Sequence, residues 1–316
     1  MVNKCIITGA TGYIGSHVLK YLLSQGWDCH IIADPRFGYD NIKDILSKVD
    51  IFEYRGDINS LCEYFKKVEA DVVFHLAAAV ITNYKPEQVP VLIQSNIQFG
   101  TEVLEAMKGS VTRVFIGTGS YWQNYKSEGY NPVDLYAATK EAFEQIIQYF
   151  VDAYHYKTAT LKLFDVYGED DKRPKIWTLL KQIAGTNQTL NVSPGEQKLD
   201  LVHVSDVCTA YECAYKYLSK KSDSCREVFG VYTGERHSLK EAICLYEKYL
   251  NKNIKIIFGG KGYKDREVME PISSLTKVPG WQPKISPAAG LEKMAVGGGR
   301  INLTDSCPLF ENRRAA

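Results

Sequence analysis

The chain has 316 residues, 45% of them apolar and 24% charged, with a formal charge of +1. That is enough chain for one large or two modest domains with a substantial core, and so small a charge gives no general attraction to nucleic acid or to an anionic membrane. Eight scattered cysteines without C-x-x-C spacing argue for reduced thiols in the cytosol and against a disulfide framework or a zinc site.

In chain order, Lys4 to Thr8 reads as a strand, and a helix from Gly12 to Ser24 closes at Gly26. The chain enters this strand and glycine turn at once, so no signal peptide is expected. Strands follow at Cys29 to Ala33, Ile51 to Tyr54 and Asp71 to Leu76, with helices expected at Ile42 to Lys48 and Ser60 to Lys67. The longest apolar run, Val72 to Ile81, is too short to span a bilayer. A long helix from Pro86 to Met107 leads to a strand at Arg113 to Ile116. In the next helix, Tyr136 to Tyr154, residues Phe143, Ile146, Ile147, Phe150 and Tyr154 keep helical spacing, and a strand at Ala159 to Phe164 follows. This alternation predicts an α/β fold built on a doubly wound parallel sheet. After Gly168 the rhythm breaks. A helix is expected from Arg173 to Ala184 and a turn at Ser193-Pro194-Gly195; strand, helix and strand then fall at Leu199 to Val204, Ser205 to Leu218 and Val228 to Tyr232. Ser238 is placed to cap a helix reaching Leu250.

The spacing Gly9-x-x-Gly12-x-x-Gly15 sits where the first strand turns into the first helix. Side chains there would clash with backbone or hold a pyrophosphate away. The helix start, with Thr11, Tyr13 and Ile14 around it, offers unpaired N–H groups and a positive dipole end to phosphate. Asp34 follows the second strand and suits the ribose hydroxyls of NAD; Arg36 suits the 2′-phosphate of NADP, and the bland alternative is a surface ion pair between the two. NAD is preferred on Asp34, with NADP left open. Asp57 and Ile58 lie just beyond the third strand, where adenine would rest, or where Asp57 would cap a helix.

Tyr136 and Lys140 are four residues apart, so a helix puts both on one side. A phenol of ordinary pKa ~10 is a poor base at neutral pH, and a nearby ammonium favours its ionised form. Such a pair can relay a proton to a forming alkoxide or from an alcohol; the alternative is a solvated helix face. Gly117-Thr118-Gly119-Ser120 directly follows the fifth strand, at the sheet edge where ligands sit. Thr118 and Ser120 are both candidates to hold a substrate oxygen there, and the alternative is an ordinary turn.

These motifs, in this order, resemble the extended short-chain dehydrogenase/reductases, the group of nucleotide-sugar epimerases, dehydratases and reductases. The resemblance runs from Lys4 to about Lys293. It also rests on His75-Leu76-Ala77-Ala78, Asn96-x-x-Gly100-Thr101-x-x-Leu104-Glu105-Ala106, Leu163-Phe164-Asp165-Val166-Tyr167-Gly168, Asp200-Leu201-Val202-His203-Val204-x-Asp206-Val207 and Gly280-Trp281-Gln282-Pro283-Lys284. It implies a Rossmann NAD(P)-binding domain over residues 1–168, to which 200–233 returns. A smaller C-terminal α/β domain, 169–199 and 234–295, would close over a nucleotide-diphosphate sugar, with a poorly ordered tail at 296–316. By position Thr118 takes the family's Ser/Thr role, Tyr136 the acid/base role, and Lys140 tunes the tyrosine and holds the nicotinamide ribose. Leu76, Ala77, Ala78 and Asn96 fall beside the cofactor. A cytoplasmic homodimer formed through helices 86–107 and 136–154 is implied by the same analogy.

Departures narrow the expectation. The group's 4,6-dehydratases carry Asp-Glu after the catalytic threonine; Gly119 and Ser120 stand there and cannot do that work, which excludes dehydration. The usual V-Y-G is Tyr121-Trp122-Gln123. Gly-Ser-Tyr-Trp-Gln and the short loop to Tyr136 are most similar to nucleotide-sugar 4-ketoreductases of the CDP-abequose synthase type. The implied activity is NAD(P)H-dependent reduction of the C4 ketone of a nucleotide-linked 4-keto-6-deoxyhexose, in deoxysugar and surface polysaccharide biosynthesis. An NAD-dependent 4-epimerase is the alternative, and a non-catalytic dinucleotide-binding protein the third reading. Asp165 replaces a usual asparagine, and Leu199 replaces the usual arginine before Asp200. Diphosphate contacts are therefore expected from Lys175, Lys198, Arg173 or Arg266, with Arg266 preferred.

Overall fold

The computed structural model describes residues 2–126, 129–272 and 274–296. The tail expected over 296–316 lies, from 297 onward, outside the described residues. β1 (Lys4–Thr8) leads through the glycine turn into α1 (Tyr13–Ser24), followed by β2 (Asp28–Ala33), β3 (Asp50–Glu53), α2 (Ile58–Val68) and β4 (Val72–His75). The expected long helix comes in pieces. After a 3-10 turn at Pro86–Gln88, α3 (Val89–Ile93) opens into a π turn at Gln94–Gln98 and resumes as α4 (Phe99–Met107). β5 (Val114–Ser120), α5 (Leu135–Tyr154) and β6 (Lys157–Leu163) complete the alternation. Beyond them lie β7 (Asp165–Tyr167), α6 (Ile176–Ile183), β8 (Thr189–Val192), β9 (Lys198–His203), α7 (Val204–Leu218), β10 (Cys225–Val231), β11 (Arg236–Ser238), α8 (Leu239–Leu250), β12 (Lys255–Phe258) and α9 (Pro287–Val296).

Seven strands form one parallel sheet in the order β10-β6-β5-β4-β1-β2-β3. Strand order reverses between β1 and β4, which opens a crevice at their C-terminal ends. Both faces are covered, as the apolar runs of the strands require. On one face Cys5 and Ile7 pack with Val18 and Leu22 of α1 and with Val207 and Tyr211 of α7. On the other, Ile6 and Val73 pack with Phe65 of α2, Leu104 of α4 and Phe143 and Ile147 of α5. Cys5 and Cys29, paired across β1 and β2, have sulfurs 3.7 Å apart.

A three-stranded sheet, β11-β9-β7, and the pair β12-β8 lie outside this layer. They share a separate cluster built from Tyr167, Trp177, Leu180, Leu239, Ile243, Tyr246 and Leu291. Asp206, in the first turn of α7, ties the C-terminal segment down. Its carboxylate accepts from Lys284 N (3.0 Å) and Ile285 N (2.9 Å), and its carbonyl accepts from Trp281 Nε1 (2.9 Å).

The helix expected at Ile42 to Lys48 is a run of turns with a 3-10 turn at Leu46–Lys48. Ile42 and Ile45 are buried there all the same, but the stretch is too short to repay helix nucleation. The stretch Gly117 to Ser120, expected directly after the fifth strand, is the end of that strand: β4 stops opposite Gly117, whereas β6 continues to pair up to Ser120↔Leu163. Among the described residues no helix is long and apolar enough to cross a membrane, and no group of three or more His, Cys, Asp or Glu could hold a metal ion.

Candidate active site

The turn after β1 is packed too tightly for side chains. Gly9 has φ +72, and a Cβ there would stand 2.5 Å from Ala77 N. A Cβ on Gly15 would stand 2.1 Å from Gly9 O, forcing α1 off the turn. Gly12 is the N-cap of α1, with no side-chain cap and no acidic residue in the first turn, which leaves the dipole end for an incoming anion. Asn41 Nδ2 holds Thr11 O at 2.9 Å, and the Tyr13 ring lies 4.5 Å from the Arg173 guanidinium carbon. Ile14 is half-buried at the start of α1.

The 76–79 segment runs along this turn and is held at both ends. Thr8 Oγ1 bonds His75 Nδ1 (2.9 Å) and accepts from Ala77 N (3.3 Å). Asn96 Oδ1 accepts from Ala79 N (2.7 Å), while its Nδ2 donates to Ala79 O (3.0 Å) and Thr139 Oγ1 (2.9 Å). Asn96 thus sits inside the π turn and joins it to α5 rather than capping a helix. Leu76, Ala77 and Ala78 are held half-buried between these two anchors. This close-packed glycine turn with an uncapped helix start fits a dinucleotide pyrophosphate.

Asp34 and Arg36 meet each other: Arg36 Nη2 lies 2.5 Å from Asp34 Oδ2, and its Nε bonds both carboxylate oxygens. That hydrogen bonding holds the Asp34 carboxyl below its ordinary pKa. Asp57 caps α2 by accepting from Asn59 N (3.0 Å), with Ile58 as the first helical residue.

Tyr136 and Lys140 lie on the buried side of α5, whose start Asp134 caps through Ala137 N (2.9 Å). The hydroxyl that acts on the Tyr136 phenol is that of Ser120. Thr118 is engaged elsewhere: its Oγ1 donates to His75 O (2.8 Å) and shares a 2.5 Å hydrogen bond with Tyr211 OH of α7. Burial pushes the Tyr136 phenol well above its ordinary value, and Asp134 adds to this; Arg173 and the Ser120 hydroxyl act against it. Arg173 is the cation that lowers it, and desolvation outweighs both opposing influences. At neutral pH the phenol is protonated. Burial also pushes the Lys140 ammonium down to about 8, against an opposing pull from Glu144. His75, buried beneath them and flanked by Phe115 at 5.5 Å, is driven down to about 3 by burial and by Lys140, so it is neutral.

The candidate phosphate cations divide. Lys198 pairs with Glu270 (2.9 Å), as does Arg236 (2.6 Å). Arg266 donates through Nε to Pro132 O (3.0 Å) and also bonds Asn131 Oδ1, so it clamps the loop before α5. Arg173 is held by Asp171 through two short bonds, 2.7 and 2.6 Å. Lys175 reaches solvent yet is ringed by protein; that crowding and Arg173 push its ammonium down, while Asp165 pulls it up. Asp165 has partners of its own. It accepts from Tyr121 OH (3.1 Å) and Asp200 N (3.2 Å), and burial raises it to about 6. Asn41, Tyr211, Gln123 and Glu144 were not visible as site residues in the sequence. Only Gln123 left a trace there, as the residue standing where the usual pattern has glycine.

The chain is similar to the CDP-abequose synthase of Yersinia pseudotuberculosis, with 29% identity over 85% of this chain and 91% of that protein. It is also 26% identical to the UDP-glucose 4-epimerase of Lacticaseibacillus casei, over 88% of this chain and 91% of that one. In fold it resembles the crystal structure of the Thermotoga maritima UDP-glucose 4-epimerase with UDP-glucose, at a TM-score of 0.79 and 22% identity, over 92% of this chain and 97% of that chain. The family model that matches spans residues 5–224, from β1 to the start of β10, and so takes in the glycine turn, the Tyr136/Lys140 helix and the strand end between them. On that match the chain belongs to the NAD dependent epimerase/dehydratase family, within the extended short-chain dehydrogenase/reductases.

Proposed function

We propose that the protein reduces the C4 ketone of a nucleotide-linked 4-keto-6-deoxyhexose, with Tyr136 as proton donor, Ser120 holding the ketone oxygen and Lys140 binding the nicotinamide ribose. The observation that carries this reading is the buried Tyr136 phenol, one helical turn from the buried Lys140 on α5, with the Ser120 hydroxyl at the end of β5 acting on it. NAD(H), when bound, supplies the hydride that such a reduction needs. A phenol kept neutral by burial is ready to give a proton to a forming alkoxide and is slow to take one from an alcohol. The likeness to a CDP-abequose synthase supports the reductive direction.

Ser120 replaces Thr118 in the hydroxyl role because the Thr118 hydroxyl is already donated to His75 O. Counted from Ser120, the next two residues are Tyr121 and Trp122, so no acid/base pair for water elimination follows it either. Asp34 is the proposed ribose contact, releasing Arg36 to solvent when NAD binds. Gly9, Thr11, Gly12, Tyr13, Ile14 and Gly15 would line the pyrophosphate, with Leu76, Ala77, Ala78 and the Asn96 turn along the rest of the cofactor and Asp57 and Ile58 towards adenine. Lys175 is the cation proposed for the substrate diphosphate, since Lys198 and Arg266 already hold other partners. The likeness to a UDP-glucose 4-epimerase keeps an NAD-dependent 4-epimerase as the second reading.

The test is a panel of CDP-, UDP- and dTDP-linked 4-keto-6-deoxy sugars, followed by NADH and NADPH absorbance. Stoichiometric oxidation of the reduced cofactor is the expected outcome. Interconversion of 4-hydroxy sugar nucleotides without added cofactor would establish the epimerase in its place.

A further inference from the structure

Directly beneath Ser120 is a buried polar network that the proton-transfer scheme does not use. Gln123 is fully buried in the 3-10 turn Tyr121–Gln123 that follows β5. Its Oε1 accepts from Ser120 N (2.9 Å), while the Ser120 side chain accepts from Trp122 N (3.3 Å). Its Nε2 donates to Glu144 Oε1 (2.7 Å) and Glu141 Oε2 (2.8 Å), both on α5. Gly119 makes room for this amide: a Cβ there would meet Gln123 Oε1 at 2.9 Å and Lys162 Cγ at 3.0 Å. Glu144 is buried, and Arg226 of β10 lies 3.3 Å from its Oε2.

A buried glutamine that satisfies one backbone donor and two carboxylates is expensive to leave half-bonded, so it holds a single geometry. Here that geometry fixes two things at once. It pins the last residue of β5, and it orients a carboxylate four residues after Lys140, on the same helix face.

We propose that Gln123 and Glu144 are positioning residues for the proton-transfer site, Gln123 aiming Ser120 at Tyr136 and the Glu144 carboxylate steadying the Lys140 ammonium. This rests on the reading of Ser120, Tyr136 and Lys140 given above. Glu144 is the group that favours the charged form of Lys140, against burial. The other ionisable neighbours of this pair are Tyr136 on α5 and neutral His75 on β4, with Glu141 on α5, Lys162 on β6 and Arg226 on β10 gathered around Glu144.

The signs follow. Removing the Glu144 charge lowers Lys140 further from about 8, so the alkaline loss of ribose binding moves to lower pH. In Glu144→Gln the amide oxygen still accepts from Gln123, so packing is kept while the charge goes.

NADH binding, read by fluorescence between pH 6 and 10 on the full chain, is the activity-independent measurement. For Glu144→Gln the alkaline limb is expected roughly one pH unit below that of the native protein. A superimposable curve overturns the proposal. Gln123→Leu is expected to lower kcat by about tenfold or more, with NADH affinity at pH 6.5 and substrate KM within about twofold; an unchanged kcat overturns it. Where Gln123→Leu does not fold, the Glu144→Gln curve decides. A native protein that turns over none of the keto-sugar nucleotides defeats the reductase reading, while the pH dependence of NADH binding still judges this proposal.

Discussion

Thr118 and Ser120 are two apart on one strand and project to the same face of β5. What separates them is their surroundings: Tyr211 and the His75 carbonyl take up the first hydroxyl, and Tyr136 meets the second. Ser120→Ala is therefore expected to lower kcat by on the order of a hundredfold, the usual effect of losing one donor at a developing oxyanion. Thr118→Ala should instead act on stability. It leaves the buried Tyr211 hydroxyl short of a partner, at about 1–3 kcal/mol, read as a lower urea midpoint with turnover per folded molecule within a few-fold. The sequence offered both hydroxyls on equal terms, because the partner that tells them apart arrives on α7. The Asp34–Arg36 pair was legible as an alternative for a simpler reason: both residues lie in one turn, and local geometry settles their contact.

At the scale of elements, periodicity served well wherever a helix or strand was long. The start of α1, the whole of α5 and the Ser238 cap of α8 all follow from spacing and capping residues. It failed on short pieces held by tertiary pairing, such as β8 and β12, which exist through each other, and β11, which exists through β9. The fifth strand runs past Ile116, its expected end, to Ser120, and Gly119 admits the Gln123 amide inside it. The motifs around Asp206 and Gly280-Trp281 were legible separately, and the structure explains why both are present: one carboxylate anchors the other segment's backbone. Asp206→Ala strands two N–H groups that bonded a charged acceptor. A loss of roughly 3 kcal/mol in unfolding free energy is expected, measured by urea denaturation.

At the scale of the molecule, the parallel sheet explains why motifs far apart in sequence work together. Every strand of such a sheet points the same way, so the turn after β1, the segment after β4 and the end of β5 all emerge on one edge. That logic needs only element order, which the sequence supplies. The cations for a diphosphate were not legible in the same way. Lys198 meets Glu270, and Arg266 meets the Pro132 carbonyl and the Asn131 side chain, through contacts between segments far apart in the chain, and no local pattern announces them.

The most direct test of the account removes the Tyr136 hydroxyl alone. Tyr136→Phe should bind NADH within about threefold of the native protein while its rate with whichever keto-sugar nucleotide the native enzyme reduces falls roughly a thousandfold. Turnover within tenfold of native, with the cofactor bound as tightly, would contradict the assignment of that phenol as the proton donor.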